Sequence, residues 1–84
     1  MANTHERNDD IYEIISANIK AYRKEAKITQ AELADRAHYS HEFIRRIEAP
    51  NAKKYFSVDT LVQISRGLKI PVAYLMKGLN GEDE

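Results

Sequence analysis

The chain has 84 residues, a formal net charge of zero, no cysteine and a hydrophobic fraction of 43 %. That length predicts one domain with a single small core, small enough that help from a partner subunit would be unsurprising. The composition excludes a disulfide framework and thiolate metal sites, and no apolar run approaches the ~20 residues needed to span a membrane.

The opening MANTHERNDD is polar and has no apolar stretch of the kind a secretory signal requires. It predicts a soluble, cytoplasmic protein with a flexible N-terminal segment over residues 1–10. From Ile11 the apolar positions Ile11, Ile14, Ile15, Ile19 and Tyr22 recur at helical spacing and predict one amphipathic helix to about Glu25. Asp9 or Asp10 is placed to cap its start.

Thr29 and Glu32 form a Thr-x-x-Glu capping box, so a second helix starts at Gln30 and runs to Ala37, with Leu33, Ala34 and Ala37 inward. Ser40 caps a third helix, His41–Glu48, with Ile44 and Ile47 inward and Glu42 in the favourable first turn. Pro50 stops it, and residues 49–56 read as a loop. Ser57 caps a fourth helix with Leu61, Ile64 and Leu68 inward, and Pro71 opens a short fifth helix around Val72–Met76. The predicted fold is all-α: a five-helix bundle occupying residues 11–77, followed by an acidic disordered tail over 78–84.

The second and third helices are each about two turns long, too short to be stable alone in water. Only three residues, 38–40, separate them. This pattern suggests a helix-turn-helix, in which the first helix braces the second. With Ile44 and Ile47 inward, the outward stripe of the second is His41, Glu42, Arg45 and Arg46. The residue types suit a DNA groove. Arginine can bond guanine O6 and N7 together, glutamate can accept from cytosine N4, and histidine can meet a purine edge. The amide of Gln30 and its backbone N–H at a positive helix end suit phosphate. Ser40, at the next cap, joins the phosphate contacts, and Asn51, Lys53 and Lys54 are placed to grip the flanking backbone. Zero net charge is unusual for a DNA binder. However, nine Lys/Arg against five Asp/Glu lie between Lys20 and Lys54, with acids concentrated at both ends. A positive face is therefore allowed.

ThrGlnAlaGluLeuAla (29–34), Ser40, Ile44 and ArgArgIleGlu (45–48) resemble the phage repressor and Cro family of helix-turn-helix proteins. SerValAspThrLeuValGlnIleSerArgGlyLeuLysIle (57–70) resembles that family's fourth helix and the turn after it. The likeness runs from about Ile15 to Leu75. It implies a five-helix repressor-like domain that binds double-stranded, near-palindromic DNA as a homodimer, more often as a repressor than an activator. It also implies roles: Gln30 as a phosphate clamp, His41, Glu42 and Arg46 at positions that often touch bases, Arg45 at one that does so in some members, and Ala34 as the small residue where the two helices cross. Arg23 and Glu48 are implied to be a structural ion pair, which makes Glu48 scaffold. Three departures stand out: His38 and Lys69 occupy positions where glycine is common, and the link after Glu48 is long and contains Pro50.

No cofactor and no metal site are expected. His38, His41 and Glu42 bracket a turn and a cap, not the single helical face that zinc motifs use. No catalysis is expected either. There is no glycine-rich phosphate loop and no cysteine nucleophile, and Ser40, His41 and Glu42 are consecutive. Tyr39, Tyr55, Phe56 and Tyr74 read as packing residues. The alternative function is a protein-interaction module of the same fold, an antitoxin or antirepressor component, which zero net charge and the acidic tail favour.

Overall fold

The computed structural model of the protein describes residues 4–50 and 54–79. Four α-helices and one 3₁₀ segment follow in order: α1 (Thr4–Glu25), α2 (Gln30–Ala37), α3 (His41–Glu48), α4 (Val58–Leu68) and the 3₁₀ segment Val72–Met76. Among the described residues there is no strand.

Two expectations need correction. The fifth helix is a 3₁₀ segment of five residues. A side chain of α1 ties its end: Asn18 Nδ2 donates to Leu75 O at 2.8 Å and, just past the segment, to Lys77 O at 2.9 Å. A tight turn held in this way has no need to lengthen into an α-helix. The first helix begins at Thr4, so Asp9 and Asp10 lie inside α1 and do not cap it. The apolar period marks only the part of a helix that meets the core. Once nucleated, a helix gains a hydrogen bond for each residue added, and polar sequence can extend it. Residues 4–10 of the expected flexible segment therefore belong to α1, while most of the expected acidic tail, 80–84, lies outside the described residues.

The core draws from every element: Ile15 and Ile19 of α1, Leu33, Ala34 and Ala37 of α2, Ile44 and Ile47 of α3, Leu61, Ile64 and Leu68 of α4, and Leu75. Each fully buried aliphatic side chain contributes roughly 1.5–3 kcal/mol, which holds together helices that could not persist alone. The bracing helix α2 lies close on α4 at Gly67. A Cβ there would meet Leu33 Cδ1 at 3.1 Å and Arg36 Cβ at 3.3 Å.

Three helices end in the same way. Lys27, His38 and Lys69 have φ of 60°, 65° and 61°. The next amide bonds back to the carbonyl five residues earlier: Ile28 to Arg23 at 3.3 Å, Tyr39 to Ala34 at 2.8 Å, Ile70 to Ser65 at 3.0 Å. This is the Schellman arrangement, with an apolar residue directly after each left-handed one. At His38 and Lys69 the backbone thus takes the conformation that favours glycine, at roughly 1 kcal/mol for a residue with a Cβ.

Candidate nucleic-acid interface

Local sequence fixes both ends of the turn. Thr29 Oγ1 accepts from the Glu32 N–H at 3.0 Å, and Glu32 Oε1 accepts from the Thr29 N–H at 2.7 Å. This reciprocal box starts α2. Ser40 Oγ accepts from the Phe43 N–H at 3.1 Å and starts α3. The Ser40 hydroxyl proton is still available for donation.

On α3, Ile44 and Ile47 are buried, and Phe43 packs partly under cover against the Tyr39 ring, centroids 4.6 Å apart. His41, Glu42, Arg45 and Arg46 are all exposed on the other side. Arg45 Nη2 donates to Glu42 Oε1 at 3.0 Å, with both side chains more than half exposed. An exposed pair of this kind is worth at most about 1 kcal/mol, so Arg45 can exchange its partner at little cost. Arg46 and His41 have no side-chain partner among the described residues. One side of one short helix thus offers donors and an acceptor with few internal commitments.

The base of α3 is the opposite case. The Glu48 carboxylate, 1 % exposed, accepts from Arg23 Nε at 2.7 Å, from Arg23 Nη2 at 2.9 Å and from Gln30 Nε2 at 3.0 Å. Arg23 Nη1 donates to Ile28 O at 2.9 Å. The planar guanidinium meets the carboxylate with two parallel bonds, the strongest form of this contact. One charged group thereby joins α1, the start of α2 and the end of α3. Gln30 spends one of its two amide N–H groups on Glu48 and keeps the other. Ala34 is buried, as its size suits.

Lys54 is not where a phosphate contact would be. Its side chain is 2 % exposed, with Nζ donating to Ala49 O, to Ser16 Oγ at 3.3 Å and to Glu13 Oε2 at 3.4 Å. Burial of an ammonium is tolerated only with such partners, and these draw it under the end of α3. The flanking Asn51 and Lys53 lie outside the described residues.

Sequence reasoning passed over Ser16, whose Oγ donates to Ile47 O at 2.6 Å. The signal was present: Ser16 and Arg23 are seven apart, and both stand on the same side of α1 as Ile19. Polar residues on an inward stripe are those that satisfy a neighbouring element's backbone. Asn18, which holds the 3₁₀ segment, was passed over too; it lies off that stripe and is only partly buried. Farther along, Tyr22 and Tyr74 pack with ring centroids 5.9 Å apart, beneath the ammonium of Lys77. Hydrogen bonding to Tyr22 raises the Lys77 pKa above its ordinary value. Phe56 meets the Tyr12 ring edge-on at 5.1 Å, Tyr55 does so at 5.3 Å, and Tyr39 donates to Thr60 Oγ1 at 3.2 Å.

Among the described residues no group of three or more His, Cys, Asp or Glu is placed to hold a metal ion. No described helix is long and apolar enough to cross a membrane. A family model described as helix-turn-helix matches residues 19–75, more than half of the chain and all of the α2–turn–α3 unit. No curated protein and no solved structure matches.

Proposed function

The chain belongs to the helix-turn-helix family of the phage repressor and Cro type, a family of DNA-binding regulators, and from that premise we propose that it is a sequence-specific repressor. In this reading it acts as a homodimer on a near-palindromic operator, with one α3 in the major groove of each half-site. The observation that carries the reading is the exposed stripe His41, Glu42, Arg45 and Arg46, opposite the buried Ile44 and Ile47.

Arg45 and Arg46 read guanine through paired bonds, Glu42 accepts from cytosine, and His41 meets a purine edge. In the free protein Glu42 also holds Arg45. Entry into the groove exchanges that pair for base edges, and Glu42 disfavours binding wherever phosphate is the only partner on offer. Gln30, through its uncommitted N–H, and Ser40, through its hydroxyl, bond phosphate at the first turns of α2 and α3. Asn51 and Lys53 extend that grip along the backbone.

Binding to a random-sequence duplex, followed across a salt series by fluorescence anisotropy, tests the electrostatic part. Affinity is expected to fall linearly on logarithmic axes as counterions are released, and sedimentation is expected to find two protomers on each specific duplex. Affinity indifferent to salt, or a small protein that co-purifies at fixed stoichiometry from a chain with no DNA affinity, would favour the interaction module.

A further inference from the structure

The C-terminal end of α3 is closed without the left-handed turn that ends α1, α2 and α4. Ala49 is extended, with φ −68° and ψ 130°, so the last carbonyls of the helix have no Schellman amides to meet them. One backbone amide remains, with the Ala49 N–H donating to Arg46 O at 3.3 Å, and side chains meet the carbonyls of Ile47 and of the capping residue Ala49. Ser16 Oγ donates to Ile47 O at 2.6 Å, and Lys54 Nζ donates to Ala49 O. The two groups also meet each other at 3.3 Å, and Glu13 Oε2 lies 3.4 Å from the ammonium. A cation at a helix C-terminus is favoured by the helix dipole, and this one is held under cover, where water screens it least.

We infer that Lys54 is a positioning residue for the DNA-reading helix, clasping the end of α3 onto α1 through Ala49 O, Ser16 and Glu13. The inference rests on the reading of α3 as the DNA-reading helix. A second clasp, Arg23–Glu48–Gln30, holds the same end of α3 to α1 and to the start of α2. Two independent attachments at one end of an eight-residue helix fix its rotation as well as its position. Rotation decides which base edges the exposed stripe can meet, because base bonds are directional. Lys54 therefore acts on sequence discrimination without contacting DNA.

Lys54→Met keeps the length of the side chain and removes the charge and the donors. It is compared with wild type on the duplex that the wild type selects from a random pool, and on a random-sequence duplex, across a salt series. The ratio of specific to non-specific affinity is expected to fall about tenfold, with the salt slope on random DNA unchanged. A salt slope lower by about one, with equal losses on both duplexes, would make Lys54 a phosphate contact and overturn the inference. An unchanged ratio in a folded variant would overturn it as well.

Backbone amide exchange keeps this test separate from the question of DNA binding. In Lys54→Met the amides of Ile47, Glu48 and Ala49 are expected to exchange faster while those of α2 and α4 hold. Uniform acceleration would reveal general destabilisation and no clasp. Should the wild type select no DNA sequence, the regulator reading falls and exchange alone decides the clasp. Ser16→Ala removes the donor to Ile47 O and one partner of Lys54, so it carries the same expectations with a smaller change, about threefold, where Lys54→Met fails to fold.

Discussion

Helices α2 and α3 are both eight residues long, and both start at a side-chain cap. Their outer ends and outer faces differ. α2 closes with a left-handed residue, His38, and its own backbone amides. α3 closes with a single backbone bond of its own, Ala49 N–H to Arg46 O at 3.3 Å, and beyond that through side chains borrowed from α1 and from Lys54. α2 is a brace: its Leu33 lies against α4 at Gly67. α3 is a presented element: outside Ile44, Ile47 and the Glu48 clasp, its charged residues face solvent. The lesson is that a helix whose outer face must stay free is held from beneath and from its end. The same division separates residues that govern folding from residues that govern binding, and substitutions can probe it.

The largest effect is expected at the clasp. Glu48→Ala leaves Arg23 buried without its carboxylate and should cost about 3–5 kcal/mol of stability, read by urea denaturation. A loss below about 1 kcal/mol would mean that the two helices are not joined there. Next come Leu33→Ala and Ile44→Ala, one in each helix, at roughly 2–5 kcal/mol each. Similar losses on both sides would show that brace and presented helix share one core. A small loss at Ile44 alone would separate them. Arg45→Ala or Arg46→Ala should leave the denaturation midpoint unmoved and cost ~1–3 kcal/mol on the specific duplex, with relaxed preference at one base position. Equal losses on specific and random DNA would contradict base reading. Smallest is His38→Gly, which relieves the left-handed turn between the helices and should stabilise by up to about 1 kcal/mol. Destabilisation would mean that the His38 side chain has a role that outweighs its backbone strain.

Much of the arrangement could be read from the sequence because it is written in local chemistry. The Thr29–Glu32 box and the Ser40 and Ser57 caps name their partners within three residues. The spacing of Ile44 and Ile47 identifies the buried side of α3, and with it the exposed stripe. The start of α1 was not legible, since polar residues continue a helix without marking it. Nor was the 3₁₀ form of Val72–Met76, whose Leu75 carbonyl meets Asn18, 57 residues away. Lys54 is the instructive miss. A lysine after a DNA-reading helix has the chemistry of a phosphate contact, and only the fold shows that Ala49 O, Ser16 and Glu13 reach it first. Arg23–Glu48 lay between: the residue types were suggestive, but their pairing across 25 positions came from family likeness, not from spacing.

The most direct measurement is selection of bound sequences from a random DNA pool at physiological salt, with the wild type and the Arg45→Ala/Arg46→Ala double variant side by side. The wild type is predicted to enrich a near-palindrome whose half-sites lie about one helical turn apart, and the double variant to lose it while remaining folded. A folded wild type that enriches no sequence at any salt, or a double variant that enriches the same palindrome equally well, would contradict α3 as the DNA-reading helix.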